Sequence, residues 1–323
     1  MVTDVHGHYI PADSRGVYSH LFELKESDAG KTMYVNGRFL GGLQRGLADL
    51  EAQVSDMDAA GIDERLLAIP PFCFQYTAPE AGEWARWLND TMASDIEPYR
   101  GRFRLLGTLP MLKPEDACRE LERIMAQPAF CGVQLATNIA GRELDAPDFE
   151  PVWALLERLG AFVLLHPHYV ISDARMQRFH LRNLAGNPLD TTLAAFYLMT
   201  GGVLERHPGL HICLSHAGGY LPYALSRFEH GQRVRREFAD VKTPLRVFAD
   251  RFYYDTVLHD PECLDFAVRR AAAGHVLLGT DYPFDMGVED PVGLIRRLQI
   301  GESERKGILS GNIQKILQAA ASK

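Results

Sequence analysis

The chain has 323 residues, 46% of them hydrophobic, enough to bury a large core. A formal net charge of −8 argues against nucleic acid as the main partner, and no apolar run approaches the length that spans a membrane. Five cysteines, scattered and never in a Cys-x-x-Cys pair, and an N-terminus without a basic or apolar leader fit free thiols in a soluble cytoplasmic protein.

The first strand is read from Val2-Thr3-Asp4-Val5-His6-Gly7-His8, closed by Tyr9-Ile10-Pro11. His6 and His8 are two apart, so on an extended strand both imidazoles point to one side. Asp4 shares that parity and is expected to be structural rather than a ligand. Residues 10–45 read as irregular apart from a hairpin, Lys31 to Leu40, with Asn36-Gly37 as its turn. A first-strand loop of that length reads as an insertion that could work as a lid. Leu47 to Ala60 then carries helical spacing (Leu47, Leu50, Val54, Met57) and is stopped by Gly61.

From there strands and helices alternate. Apolar strand-like runs fall at Arg65–Ile69, Phe103–Leu109, Gly132–Thr137, Ala161–Pro167, His211–His216, Phe252–Val257 and His275–Asp281. Helical stretches lie near 79–97, 114–127, 147–159, 188–206, 219–238 and 261–272, with two more near 290–299 and 302–320. Eight β/α units of near-continuous apolar strands are what a closed parallel (β/α)8 TIM barrel requires. No Pro-, Gly- or Ser-rich linker divides the chain, so residues 1–323 are expected to form one barrel domain with residues 10–45 inserted after strand one.

In such a barrel the chemistry sits where strands run out. Strand one ends in His6 and His8, strand five in His166-Pro167-His168, strand six in His216 before Ala217-Gly218-Gly219, and strand eight in Asp281. His166, His216 and Asp281 share parity with Leu164, Leu214 and Gly279, which should point inward with them. His6, His8, His166, His216 and Asp281 are therefore expected at one mouth. Three imidazoles and one carboxylate suit zinc, and the same donors accept manganese, iron(II) or cobalt. A remaining histidine beside such a site serves proton transfer, a role that His216 fits. His168 is read as pocket wall or substrate contact because Pro167 bends the chain. Phe72, Phe74 and Tyr76 line a mouth loop or simply pack. His180, His207, His211, His230, His259 and His275 read as structural or solvated.

The runs Asp4-Val5-His6-Gly7-His8, His166-Pro167, Ser215-His216-Ala217-Gly218-Gly219 and Gly279-Thr280-Asp281-Tyr282-Pro283-Phe284 resemble the amidohydrolase superfamily. More narrowly, the chain is similar nearly end to end to its aminocarboxymuconate-semialdehyde decarboxylase family of metal-dependent non-oxidative decarboxylases. Met57–Ile62, Gly107–Met111, Gly201–Pro208 and Arg251–Asp260 take part in that likeness. The resemblance implies one divalent ion on His6, His8, His166 and Asp281, with His216 as general acid/base near a bound water. The strand-four end carries no lysine of the kind that bridges two metals in dinuclear members, which implies a mononuclear site. An arginine that binds substrate carboxylate in that family aligns here at or near Gly41, with Arg38 and Arg45 as neighbours. A second such arginine, supplied across a homodimer interface, matches Arg235, and an aromatic wall position matches His168.

The expected activity is removal of CO2 from an unsaturated or aromatic carboxylic acid, with His216 moving the proton, Asp281 assisting, and Arg235 and His168 contacting the substrate. The alternative on the same residues is a metal-dependent hydrolase opening a lactone, amide or carbon–carbon bond. A metal-stabilised barrel without catalysis is a third reading, from another class.

Overall fold

The computed structural model describes residues 1–11, 18–27, 30–168, 170–171 and 174–321. Its eight barrel strands are short, apolar and almost wholly buried, as strands covered on both faces must be. They are β1 (Thr3–His8), β5 (Glu64–Ala68), β6 (Phe103–Gly107), β7 (Phe130–Ala136), β8 (Phe162–His166), β9 (His211–Leu214), β10 (Tyr253–Asp255) and β11 (Val276–Leu277), all parallel and paired in that order. The sheet closes on itself: the Val5 N–H donates to Leu278 and the His8 N–H to Tyr282, each at 2.8 Å. All eight strands expected from the sequence are present.

The interior of the cylinder is filled by Val5, Leu66, Ala68, Leu106, Phe162, Leu164, Cys213 and Leu277, a packed core rather than a channel. Around it run α1 (Leu50–Ala60), α2 (Ala81–Asp95), α3 (Pro114–Met125), α4 (Glu150–Leu159), α5 (Asn187–Thr200), α6 (Val203–Arg206), α7 (Leu221–Val234), α8 (Leu245–Ala249), α9 (Pro261–Ala271), α10 (Pro291–Arg297), α11 (Glu302–Lys306) and α12 (Asn312–Ala321). Local chemistry sets their ends. Asp49 caps α1 by accepting from the Ala52 N–H at 3.0 Å, and Gly61 ends it in the left-handed region. α12 plugs the N-terminal end of the barrel with Ile313, Ile316 and Leu317, leaving the C-terminal end for function.

Three expectations are corrected here. Residues 188–206 form two helices, not one, because Gly202 adopts φ +79° between them. Residues 302–320 are interrupted by a π-turn at Gly307–Gly311, where the Ile308 carbonyl accepts from the Leu278 N–H at 3.0 Å and ties the last helices to the barrel. Most of residues 10–45 that lie within the described residues are ordered as an antiparallel sheet, β2 (Phe22–Ser27), β3 (Gly30–Val35) and β4 (Arg38–Gly42). The expected hairpin is β3–β4, turned at Asn36 and Gly37 with φ of +51° and +71°. β2 went unread because its charged alternation is short. The sheet seats itself through buried Phe22, stacked at 6.2 Å on Phe72 after β5.

A bulge in β1 decides which way its side chains face. Between Asp4 and Gly7 the register with β5 slips by one residue, so Val5 and His6 both serve the interior. Asp4 does not share the face of His6, contrary to the parity argument. It turns to the strand–helix layer, where Arg65 Nε donates to it at 2.7 Å and Thr280 Oγ1 at 2.7 Å. It also accepts the His6 N–H at 3.0 Å, which holds the bulge in place. Arg65 is 2% exposed, bonds Gln53 of α1 at 3.0 Å and lies 4.1 Å from the Tyr282 ring.

Breaking one half of such a pair strands the other charge in low dielectric. Arg65→Met is therefore expected to lower stability by about 3–5 kcal/mol, read from urea midpoints, with much of the loss restored in Asp4→Asn/Arg65→Met. A single-variant loss below about 1 kcal/mol would show that the pair does not organise this layer.

Candidate metal centre

His6 and His8 come from β1, His166 from the end of β8, and Asp281 from the turn after β11, and all four are buried. Their donor atoms lie within 4.8 Å of one another. Asp281 Oδ1 is 3.1 Å from His8 Nε2, 3.3 Å from His6 Nε2 and 3.9 Å from His166 Nε2. Asp281 reaches this position in the left-handed region, at φ +59°, a conformation uncommon for a non-glycine residue and frequent at functional sites.

The outer nitrogens fix the tautomers. His6 Nδ1 donates to Asp255 at 2.7 Å, His8 Nδ1 to the Ile69 carbonyl at 3.1 Å, and His166 Nδ1 to the Pro167 carbonyl at 3.0 Å. Each imidazole then turns a bare Nε2 inward, as a metal ligand must. The Nε2 atoms of His6 and His166 are buried without a hydrogen-bond partner, a costly arrangement that a cation at the centre relieves. Donors about 2.0–2.2 Å from one ion sit about 3–4 Å apart, so the residues fit a divalent metal.

Electrostatics without the ion tell the same story. Burial disfavours a charged His6, but Asp281 and Asp255 outweigh it and push its pKa up to about 10. Burial holds His8 below its usual value, partly offset by Asp281, and takes His166 well below. For Asp281, burial works to raise the carboxyl, yet the His6 charge and the close approach of His166 and His216 leave it well below the usual carboxylate range. A proton on His6 thus does in part what a metal would do.

His216 stands beside the cluster, with Nε2 3.4 Å from Asp281 Oδ2 and its ring centroid 5.2 Å from that of His166. Leu214 is not inward with it: its side chain joins the outer core and Cys213 the inner one. The parity argument fails because His216 and Ala217 leave the strand, at φ +54° and +52°. What holds this turn is Asp255, whose Oδ1 accepts the Ala217 N–H at 2.7 Å while Oδ2 holds His6. Asp255 was missed in the sequence, although a buried acid at the end of the seventh barrel strand obeys the same rule that found the others.

Above the cluster lies a cavity of about 520 Å³ with His166 and Asp281 at its floor and Phe72, His168, Arg182 and Phe284 on its walls. Two larger depressions, about 710 and 620 Å³, lie away from the cluster. His168 lines the cavity, its pKa brought down to about 4 by burial and by Arg182. Gly41 also lines it, so the position aligned with an arginine offers no charge, while Arg45 is engaged by Asp56 at 2.7 Å. Arg235, at the end of α7, lies outside this cavity, 65% exposed and 3.3 Å from Glu237. Arg182 was not singled out in the sequence; no spacing links it to the strand ends.

A closed parallel barrel with a three-histidine, one-aspartate donor set at its C-terminal mouth defines a metal-dependent barrel enzyme. The Amidohydrolase family profile matches residues 3–318, and the chain belongs to that family. It is 33% identical over 290 residues to a 2-amino-3-carboxymuconate-6-semialdehyde decarboxylase of Dictyostelium discoideum, covering 88% of this chain and 81% of that one. It is 29% identical to a gamma-resorcylate decarboxylase of a Polaromonas species, covering 85% and 90%. A crystal structure of a 5-carboxyvanillate decarboxylase from Novosphingobium aromaticivorans, complexed with manganese and a nitrobenzoic acid, matches with TM-score 0.76 and 26% identity over 84% of this chain and 81% of that one.

A group whose pKa is raised on folding adds stability that is complete below its unfolded value and lost as pH climbs through the folded one. For His6 that window runs from 6.5 to about 10. Metal-free protein is expected to lose stability between those limits, and manganese loading to remove the loss, because the ion replaces the proton. Urea midpoints at three pH values, with and without manganese, check this; a slope unchanged by metal would argue against His6 as a ligand.

Proposed function

We propose that the protein is a divalent-metal-dependent decarboxylase that releases CO2 from an unsaturated or aromatic carboxylic acid. The observation that carries this reading is the four-residue donor set with His216 against Asp281, beneath a cavity with aromatic walls. Similarity over more than four fifths of each chain to decarboxylases of carboxymuconate and aromatic acids supports it and disfavours the hydrolase alternative.

His6, His8, His166 and Asp281 would hold the ion, which when bound supplies positive charge to stabilise negative charge building on the substrate. The carbon–carbon bond breaks with its electron pair left on the organic fragment, CO2 departs, and one proton fills the vacated position. His216 carries that proton on Nε2, where Asp281 Oδ2 orients it at 3.4 Å. Phe72 and Phe284 flank a planar acid, and the cavity volume suits a single ring. The small sheet β2–β4 reaches the same cavity through Met33, Leu40 and Gly41, which supports a covering role for the insertion.

The donor set suits zinc by chemistry, whereas the Novosphingobium relative holds manganese, so metal content decides between them. Five free cysteines support a reducing, cytoplasmic setting, and the helices of the described residues are all too short or too polar to cross a membrane. A homodimer is supported by exposed Tyr223 and Val234 on α7, next to Arg235, which would contact substrate in the partner's site. Sedimentation is expected to give twice the mass of one chain; the monomer mass would remove that role for Arg235.

The deciding experiment is a CO2-release screen over aromatic and muconate-type acids with metal measured on the same sample. His216→Asn is expected to keep its metal and lose about 10²–10⁴-fold in rate, and Asp281→Asn to lose both metal and activity. Full activity in His216→Asn, or water gained by the product instead of CO2 lost, would overturn the reading.

A further inference from the structure

Arg182 is the one lysine or arginine among the described residues that line the cavity. Its guanidinium makes no hydrogen bond or ion pair with the described residues. Most surface arginines near acids, such as Arg45, Arg206 and Arg246, are engaged by a carboxylate. Arg182 instead shares the cavity lining with Asn183 and Asn187, whose amides are polar but uncharged, with His180, with the apolar side chains of Met33, Leu40 and Phe284, and with one further acid, Asp285, with which it forms no ion pair.

The backbone sets this group apart from an ordinary helix face. Phe179 and His180 both take left-handed angles, φ +55° and +57°, and the chain then forms a π-turn, Arg182–Gly186, before α5 begins at Asn187. Such π-turns are rare and recur at functional sites. Here the turn puts Arg182 and Asn183 on the cavity rim.

The departing carboxylate is a poor partner for this arginine. It must reach the buried floor, where His166 and Asp281 are 4% and 5% exposed, whereas Arg182 lies at the exposed end. An ion pair on the leaving carboxylate would also stabilise the substrate more than the transition state, because that charge vanishes as CO2 forms. An arginine helps if it grips a group that stays on the product.

We propose that Arg182, flanked by Asn183 and Asn187, binds a second anionic group of the substrate, so that the protein prefers planar acids bearing two acidic groups. One acidic group is lost at the floor as CO2; the other is held at the rim by a bidentate guanidinium contact. The inference rests on the decarboxylase reading and names the specificity of that site, from a residue of the same chain.

The test uses calorimetry on the full-length, manganese-loaded protein with benzoate, phthalate, isophthalate and terephthalate as probes. At least one dicarboxylate is expected to bind about ten-fold or more tightly than benzoate. Arg182→Gln should abolish that difference while leaving benzoate affinity, metal content and melting temperature unchanged, and Arg182→Lys should keep part of it. No dicarboxylate preference in the wild type, or a preference that survives Arg182→Gln, would overturn the proposal. CO2 release is scored separately. Release from monoacids without any dicarboxylate preference overturns the Arg182 subsite and keeps the decarboxylase. A preference lost in Arg182→Gln, with no acid of the wider screen releasing CO2, keeps the subsite and overturns the decarboxylase.

Discussion

A single buried carboxylate, Asp281, organises the mouth of the barrel. One of its oxygens faces the Nε2 atoms of His6, His8 and His166, and the other faces His216. Burial makes an isolated carboxylate costly, and four imidazoles around it reverse the sign of that cost. The candidate donor set and the proposed proton carrier therefore share one group. A change at Asp281 reaches both, whereas a change at His216 leaves the candidate donor residues themselves in place.

That carboxylate needs support, and the fold supplies it from two directions. Asp255 joins His6 to the His216 turn, so one candidate metal ligand and the proposed proton carrier are held by the same side chain. Behind the strands, Asp4 ties together Arg65, Thr280 and the β1 bulge. The Asp281 N–H in turn donates to the His6 carbonyl at 2.8 Å across the seam where the barrel closes. Closure of the sheet and assembly of the site are thus the same event. Gly7 belongs to this arrangement because a Cβ there would lie 2.4 Å from Arg65 Cδ.

Specificity resides in less regular parts of the chain. The cavity is walled by the β2–β4 sheet, the loop after β5, the π-turn before α5 and the turn after β11. Apart from the turn after β11, which carries Asp281, these segments hold none of the candidate donor residues and can vary in sequence without changing that set. The glycine at position 41 and the arginine at 182 illustrate the division: charge absent from one wall is present on another.

The eight strands and the helices after them were legible because their apolar runs are long and their punctuation is clear, as at Gly61 and Asp49. His6, His8, His166, His216 and Asp281 were legible for a related reason: chemistry at strand ends follows from barrel topology alone. Local periodicity could not foresee the bulge that turns Asp4 away from His6, nor the left-handed residues at 216 and 281 that free side chains from strand parity. Those depend on contacts among β1, β5, β10 and β11 that are distant in sequence. Asp255 and Arg182 were decided by tertiary structure as well. A carboxylate that bridges two turns, and a guanidinium brought to a rim by a π-turn, acquire their surroundings only when the barrel closes.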